Sequence, residues 1–441
     1  MACQKSFLRA GVLLALDLIL TLPAVAQQQM SNFDRERAQS MLQVVANDVR
    51  KNYYDPKLHG IDWDAKVRDA KEKIAKDTSF NMAMSRIAAV LDSLNDSHVF
   101  FTPPQHSYKH DFGWRDQMVG DHCFVIRVKP HSDAETKQIK PGDEILAVNG
   151  YSPTRDNLWK MSYVFSILRP QPALQLQLKS SGGAERKVDV LANMRQLPKL
   201  NDLTTGMGIW DFIRDEEDDA HSMRTRYREM GNELMIVKLP IFLLSQSEVQ
   251  DIIGKAHKHQ CLIIDLRSNP GGAVDTLKWL LGGMFDHDVK IADRVTRNDT
   301  KVLTTKSFGK ETFTGKLVVL VDSNSASASE LFARVIQLEK RGVILGDRSS
   351  GAVMEAKRYS YHMGEDSMIF YGASITDADL RMTDGNSLEH TGVTPDEVVL
   401  PAAEDLANGR DPVMAHAAQI LGFKLSPEDA GKFFPFEWPK E

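Results

Sequence analysis

Apolar positions follow three spacings in turn along this chain, and each predicts a different kind of element. From Phe33 to about Phe112 they recur at helical spacing, with Met41, Leu42, Val44, Val45 and Val49 on one side of a first helix that Tyr53-Tyr54-Asp55-Pro56 ends. Further helices are predicted over residues 64–76 and 81–94. From about Gly113 to Ala192, short β-type runs such as Cys123-Phe124-Val125-Ile126-Arg127-Val128 and Leu174-Gln175-Leu176-Gln177-Leu178 alternate with turn residues. A polar stretch with the acidic run Asp215-Glu216-Glu217-Asp218-Asp219 follows. Beyond it, apolar runs of strand length at residues 234–239, 262–266 and 317–321 are separated by helical patterns, one of them over 247–259. Strands alternating with helices imply a layered α/β sheet. A last helix is predicted over 405–421, and the Pro- and Phe-rich tail beyond it receives no element. The chain thus divides into a helical domain over 31–112, a β domain over 113–195, a linker over 196–230 and an α/β core over 231–441.

Composition changes this picture little. At 441 residues the chain can bury more than one core, and a mixed net charge of −6 gives no sign of a nucleic-acid partner. The N-terminus is more informative. Lys5 and Arg9 precede the apolar run Gly11-Val12-Leu13-Leu14-Ala15-Leu16, and Ala24-Val25-Ala26 is a small-x-small cleavage site, so residues 1–26 are predicted to be an export signal that leaves Gln27 first. Asp17 interrupts the apolar run and disfavours a membrane span. Once the signal is removed only Cys123 and Cys261 remain, which predicts two buried free thiols rather than a disulfide framework. A periplasmic or secreted location follows.

The candidate chemistry lies on two turns. Ser325-Ala326-Ser327-Ala328-Ser329-Glu330 joins the run 317–321 to a helical segment. A serine there stands on a strand-to-helix turn, its hydroxyl above a sheet edge and the first backbone N–H groups of a helix beside it. The same spelling also suits an ordinary N-cap followed by good helix formers. The second turn, Asp265-Leu266-Arg267-Ser268-Asn269-Pro270-Gly271-Gly272, ends another apolar strand, and its paired glycines let backbone N–H groups approach a ligand closely.

These two turns, in this order, resemble the C-terminal processing peptidases and their tricorn-like relatives, which are serine peptidases with a crotonase-like (ClpP/crotonase) core. The resemblance implies a multidomain α/β protein with an N-terminal helical cap. It implies Ser327 as nucleophile, and an oxyanion hole from the Ala328 N–H with one from Gly271 or Gly272. In the commoner branch of the family a lysine follows as general base, and the matching position here is Ala352, which cannot take a proton. The tricorn-like branch uses a histidine in a Ser-His pair instead, and Ser97-His98 in Leu94-Asn95-Asp96-Ser97-His98 matches it. That branch also has a glutamate bonded to the serine of the pair, matched by Glu389 in Leu388-Glu389-His390-Thr391-Gly392. An imidazole with an ordinary pKa near 6.5 accepts a serine proton near neutral pH. Lys140-Pro141-Gly142-Asp143-Glu144-Ile145-Leu146-Ala147-Val148-Asn149-Gly150 looks like a PDZ domain, a module that adds an extended peptide to a sheet edge. The resemblance implies protein or peptide substrates, assembly into a homo-oligomer, and no metal or organic cofactor.

Other polar features rank lower. His106 and His110 have helical spacing without the glutamate of a zinc-peptidase motif, and they are read as surface histidines together with His257 and His259. Lys357, on the strand after Ala352, is read as a strand-surface lysine rather than the base. The alternative function is a catalytically inactive peptide- or lipophilic-ligand-binding protein on the same scaffold. An acyl-CoA enzyme is disfavoured by the export signal and the PDZ-like segment.

Overall fold

The computed structural model describes residues 30–196, 224–364 and 368–438, so the export signal and the acidic run lie outside it. The strand Lys316–Val321 is buried at every position after Lys316. A strand with no polar face must lie inside a sheet covered on both sides. It sits within a six-stranded sheet in the order Glu397–Val398, Val343–Gly346, Lys316–Val321, Cys261–Asp265, Leu234–Lys238 and Arg226–Met230. The first five strands run parallel and the last is antiparallel. Helices Gln246–Ala256, Val274–Gly282 and Ala328–Leu338 place Ile252, Leu280 and Phe332 in the core on one face. Helix Pro412–Ile420 places Val413 and Met414 against the other.

A second sheet is built around the long strand Ile369–Met382, which pairs with Met354–Met363, Lys290–Thr296 and Phe100–Thr102, while Thr300–Thr304 forms its far edge. Helices Asn32–Asn52, Trp63–Ile74 and Phe80–Asp92 start where Ser31, Asp62 and Ser79 accept backbone N–H groups. They bury Met41, Val45, Ile87 and Leu91 in one cluster with Tyr371, Ala373 and Ile375 of that sheet. The third sheet is an antiparallel run of Trp114–Val119, His122–Val128, Glu144–Val148, Ala173–Lys179 and Glu185–Leu191 around its own apolar cluster. Strands Tyr108–Asp111 and Asn193–Gln196 pair where the chain enters and leaves this module. The module touches the core beside the serine turn, where Ser323 Oγ donates to Met118 O at 2.6 Å and Gln117 Nε2 donates to Asp322 Oδ2 at 2.8 Å.

Several expectations need correction. The helical pattern read to Phe112 stops at Asp92, and Phe100–Thr102 is a strand, because the apolar run Val99-Phe100-Phe101 pairs with residues distant in sequence. Arg226–Met230, inside the segment read as linker, is the edge strand of the core sheet, its mixed burial hiding the strand pattern. The helix read over 405–421 is two helices, Ala403–Asn408 and Pro412–Ile420, parted where Gly409 turns left-handed at φ 64° and Pro412 restarts the chain. His110 lies on a strand rather than a helix, and His106 is half-buried with Nε2 2.7 Å from Ile167 O. Cys123 and Cys261 are buried and free, as the sequence predicted.

One buried carboxylate ties the helical layer to the second sheet. Asp96 follows the left-handed residue Asn95 at the end of helix Phe80–Asp92. Its carboxylate accepts Tyr53 Oη at 2.9 Å, Thr376 Oγ1 at 2.7 Å and the His98 N–H at 2.9 Å. Burial and the Asp96 charge push the Tyr53 phenol far above its ordinary value, so it stays a donor throughout the working pH range. Tyr53→Phe leaves one of these lone pairs unmatched, and a loss of about 1–3 kcal/mol in unfolding free energy is expected in a urea titration.

Candidate active site

The three serines of the turn differ in what their hydroxyls do. Ser325 Oγ accepts the Asp322 N–H and donates to Leu266 O at 2.8 Å, and Ser329 Oγ donates to Asn269 O at 2.8 Å. Both are buried. Ser327 is half-exposed, and its hydroxyl makes no hydrogen bond among the described residues. Its backbone has φ 55° and ψ −118°, a conformation that is strained for a residue with a side chain. That strain is held by hydrogen bonds: the Ser327 N–H donates to Ala352 O and to Glu330 Oε2, both at 2.9 Å, and the Ser327 carbonyl receives the Glu330 N–H.

The glycine turn packs directly against it. A side chain at Gly271 would put its first carbon 2.7 Å from Ser327 Cβ and 2.9 Å from the Ala328 nitrogen, so only glycine allows the approach. Asn269, fully buried, fixes this turn by donating from Nδ2 to Leu239 O at 2.7 Å and accepting the Gly271 N–H on Oδ1 at 2.8 Å. This separates the two glycines that the sequence leaves as alternatives. The Gly271 N–H is consumed, whereas the N–H groups of Gly272 and Ala328 have no acceptor among the described residues. Free backbone donors beside a strained serine at a helix start form a site for a developing anion.

Ser97, His98 and Glu389 come together. The Ser97 hydroxyl donates to Glu389 Oε2 at 2.9 Å and lies 2.8 Å from His98 Nδ1. A hydroxyl has one proton, and the carboxylate receives it, so Ser97 Oγ accepts from Nδ1–H. That assignment leaves Nε2 as the unprotonated nitrogen. Burial lowers the His98 pKa below its ordinary value, the nearby Asp96 carboxylate opposing, so the ring is neutral at pH 7. Burial raises the Glu389 carboxyl, and Asp96 raises it further, against donation from the Ser97 N–H at 2.7 Å and the Val353 N–H at 2.8 Å. No hydrogen bond joins Ser327 to His98 in this structure. The two are linked through the backbone, because Ala352 accepts from Ser327 while Val353 donates to Glu389.

The residue that sequence reading missed is Glu330. It is fully buried without a cation, and it receives the Ser327 and Ala352 N–H groups on one oxygen and the Gly351 N–H and Ser349 Oγ–H on the other, at 2.6–3.0 Å. Burial pushes its carboxyl up to about 7 against the pull of these donors. Its place three residues after Ser327 is the spacing at which a glutamate reaches back to an N-cap backbone N–H, and that signal was in the sequence. Lys357, by contrast, is an exposed strand lysine paired with Asp377 at 2.8 Å.

Known proteins share this arrangement of segments. Residues 233–399 match the model of peptidase family S41, and residues 34–69 match that of the tricorn protease C1 domain. Residues 233–399 of this chain are thus similar to peptidase family S41. Among curated relatives, the tail-specific protease of Haemophilus influenzae is 24% identical over 87% of this chain and 56% of its own length. The chloroplastic carboxyl-terminal-processing peptidase 3 of Arabidopsis thaliana is 23% identical over 77% of this chain and 67% of its own. The chain thus spans little more than half to two thirds of these relatives. Its fold is similar to that of mature CPAF, with a TM-score of 0.64 and 15% identity over 85% of this chain and 95% of that one. It also resembles the photosystem II D1 C-terminal processing protease, at 0.50 and 18% over 83% and 94%.

Glu330→Gln turns an amide N–H₂ toward a set of donors. The variant is expected to lose about 2–4 kcal/mol of stability in denaturant titration, the scale for breaking a buried charged network.

Proposed function

We propose that this chain is an exported serine endopeptidase that cleaves protein or long-peptide substrates through an acyl-enzyme. The observation that carries the reading is the Ser97 hydroxyl, held between Glu389 and His98 Nδ1 so that Nε2 is left as the base. Ser327 Oγ attacks the scissile carbonyl carbon and its proton passes to His98 Nε2. The oxyanion sits on the Gly272 and Ala328 N–H groups. The tetrahedral intermediate collapses, the C–N bond breaks and His98 returns the proton to the leaving amine. Water then hydrolyses the ester by the same route in reverse. The missing Ser327–His98 hydrogen bond suits an unliganded site, since such bonds tighten when substrate binds.

In this reading the six-stranded sheet with its helices is the crotonase-like core of a domain over 231–441, and 31–112 is the cap that carries the base. The module over 113–195 is a PDZ-like domain that delivers polypeptide to the site. Its strand Trp114–Val119 is a sheet edge, the kind of element to which such modules add a peptide strand. Removal of residues 1–26 places the protein in the periplasm or outside the cell, where it assembles as a homo-oligomer.

Labelling with a fluorophosphonate probe tests the site. Wild type and Lys357→Ala are expected to label, while Ser327→Ala and His98→Ala lose at least about 10³-fold in labelling rate, the scale of a lost nucleophile or base. A wild type that stays unlabelled in the presence of unfolded protein would overturn the peptidase reading in favour of a binding protein. A second expectation concerns pH. Ionised Glu330 faces donors at both oxygens, two on each, and protonation below about pH 7 sets an O–H among them and weakens its hold on the Ser327 and Ala352 N–H groups. The His98 pKa lies lower still. The acid limb of the labelling rate should therefore fall near neutral pH, and a limb well below pH 6 would count against Glu330 as the controlling group.

A further inference from the structure

Between the β module and the core lies a cleft of about 1260 Å³ whose lining includes Arg115, Arg127, Ala326 of the serine turn and Ser350. Residues 433–438 of the chain's own tail line part of it. Their attachment is graded. Phe433 and Phe434 pack against the apolar cluster on the outer face of the core sheet. Arg228 Nε donates to Phe433 O at 3.2 Å, and Arg226, on the same edge strand, donates to Pro435 O at 2.9 Å and lies 5.5 Å from the Phe434 ring centre. Beyond Pro435 the contacts change character. Phe436 lies 5.9 Å from the Arg127 guanidinium and Trp438 lies 5.0 Å from that of Arg115, the two rings meeting edge to face at 5.1 Å. Phe436 remains 38% exposed.

Stacks of this kind at half-exposed positions each contribute only a few-fold to an equilibrium. Among the described residues, the tail is therefore held by hydrogen bonds to Phe433 and Pro435 and by ring contacts at Phe436 and Trp438, across two edge strands, Arg226–Met230 and Trp114–Val119. We propose that residues 435–438 are a displaceable internal occupant of the cleft, and that Arg115 and Arg127 select polypeptide segments carrying aromatic side chains, for which this tail stands in. The inference rests on the peptidase reading for its biological sense, since the cleft that holds the tail reaches Ala326, the residue before Ser327, but the binding itself does not need catalysis.

The test uses the Ser327→Ala chain, ended after Phe434, and a fluorescent synthetic peptide with the sequence of residues 433–441. Fluorescence anisotropy should show that the shortened chain binds the peptide and that the full-length Ser327→Ala chain binds it about ten-fold more weakly, the combined size of two such stacks. A peptide with alanine at the positions of Phe436 and Trp438, or a shortened chain carrying Arg115→Ala and Arg127→Ala, should lose a similar factor. If the shortened chain does not fold, full-length Phe436→Ala/Trp438→Ala takes its place. Equal affinity of the full and shortened chains, no binding to a folded shortened chain, or indifference to the alanine peptide would each overturn the proposal. Because the nucleophile is absent throughout, failure of the peptidase reading would leave these results unchanged.

Discussion

A carboxylate buried without a cation is costly unless hydrogen-bond donors replace its water, and among the described residues Glu330 is fully buried on such terms. Its two oxygens gather donors from the serine turn and from the loop 349–352. The strained conformation of Ser327 and the course of the following loop are thus two consequences of one charge. The arrangement also accounts for Ala352. This residue contributes through its backbone: the Ala352 N–H goes to Glu330 and its carbonyl takes the Ser327 N–H. The loop acts as a connector, and its next residue passes the link on to Glu389.

The base is positioned from the other direction. Asp96 joins the end of the first helix, through Tyr53, to the strand that carries Thr376, and holds the backbone of His98. Ser327 and His98 therefore stand beside different sheets, and Glu389 touches the neighbouring segment of each. The proton inventory of the Ser97 hydroxyl does the remaining work, since one O–H can serve only one acceptor and so decides which imidazole nitrogen is free.

Much of this site was legible in the sequence because its parts are local spellings. The serine turn, Ser97-His98 and the departure at Ala352 could be read one segment at a time. What escaped depended on contacts between segments. Choosing between Gly271 and Gly272 required the Asn269 side chain, which turns back on its own loop. The strand Phe100–Thr102 exists because residues 372–374 lie beside it, and the edge strand Arg226–Met230 has no apolar alternation to announce it. The break at Gly409 and Pro412 was a different kind of miss, since both residues are strong local signals that an apolar pattern had overridden.

The division of the site between two sheets has a consequence for the order of synthesis. His98 emerges early, but the strand Ile369–Met382 that receives its neighbours, and the glutamate that orients its ring, come after the nucleophile and close to the end of the chain. A nascent polypeptide holds an imidazole with no fixed tautomer, then a serine turn with no partner. In the proposed reading, cutting power therefore waits until Glu389 has been made, and any shorter nascent chain lacks the group that orients the imidazole.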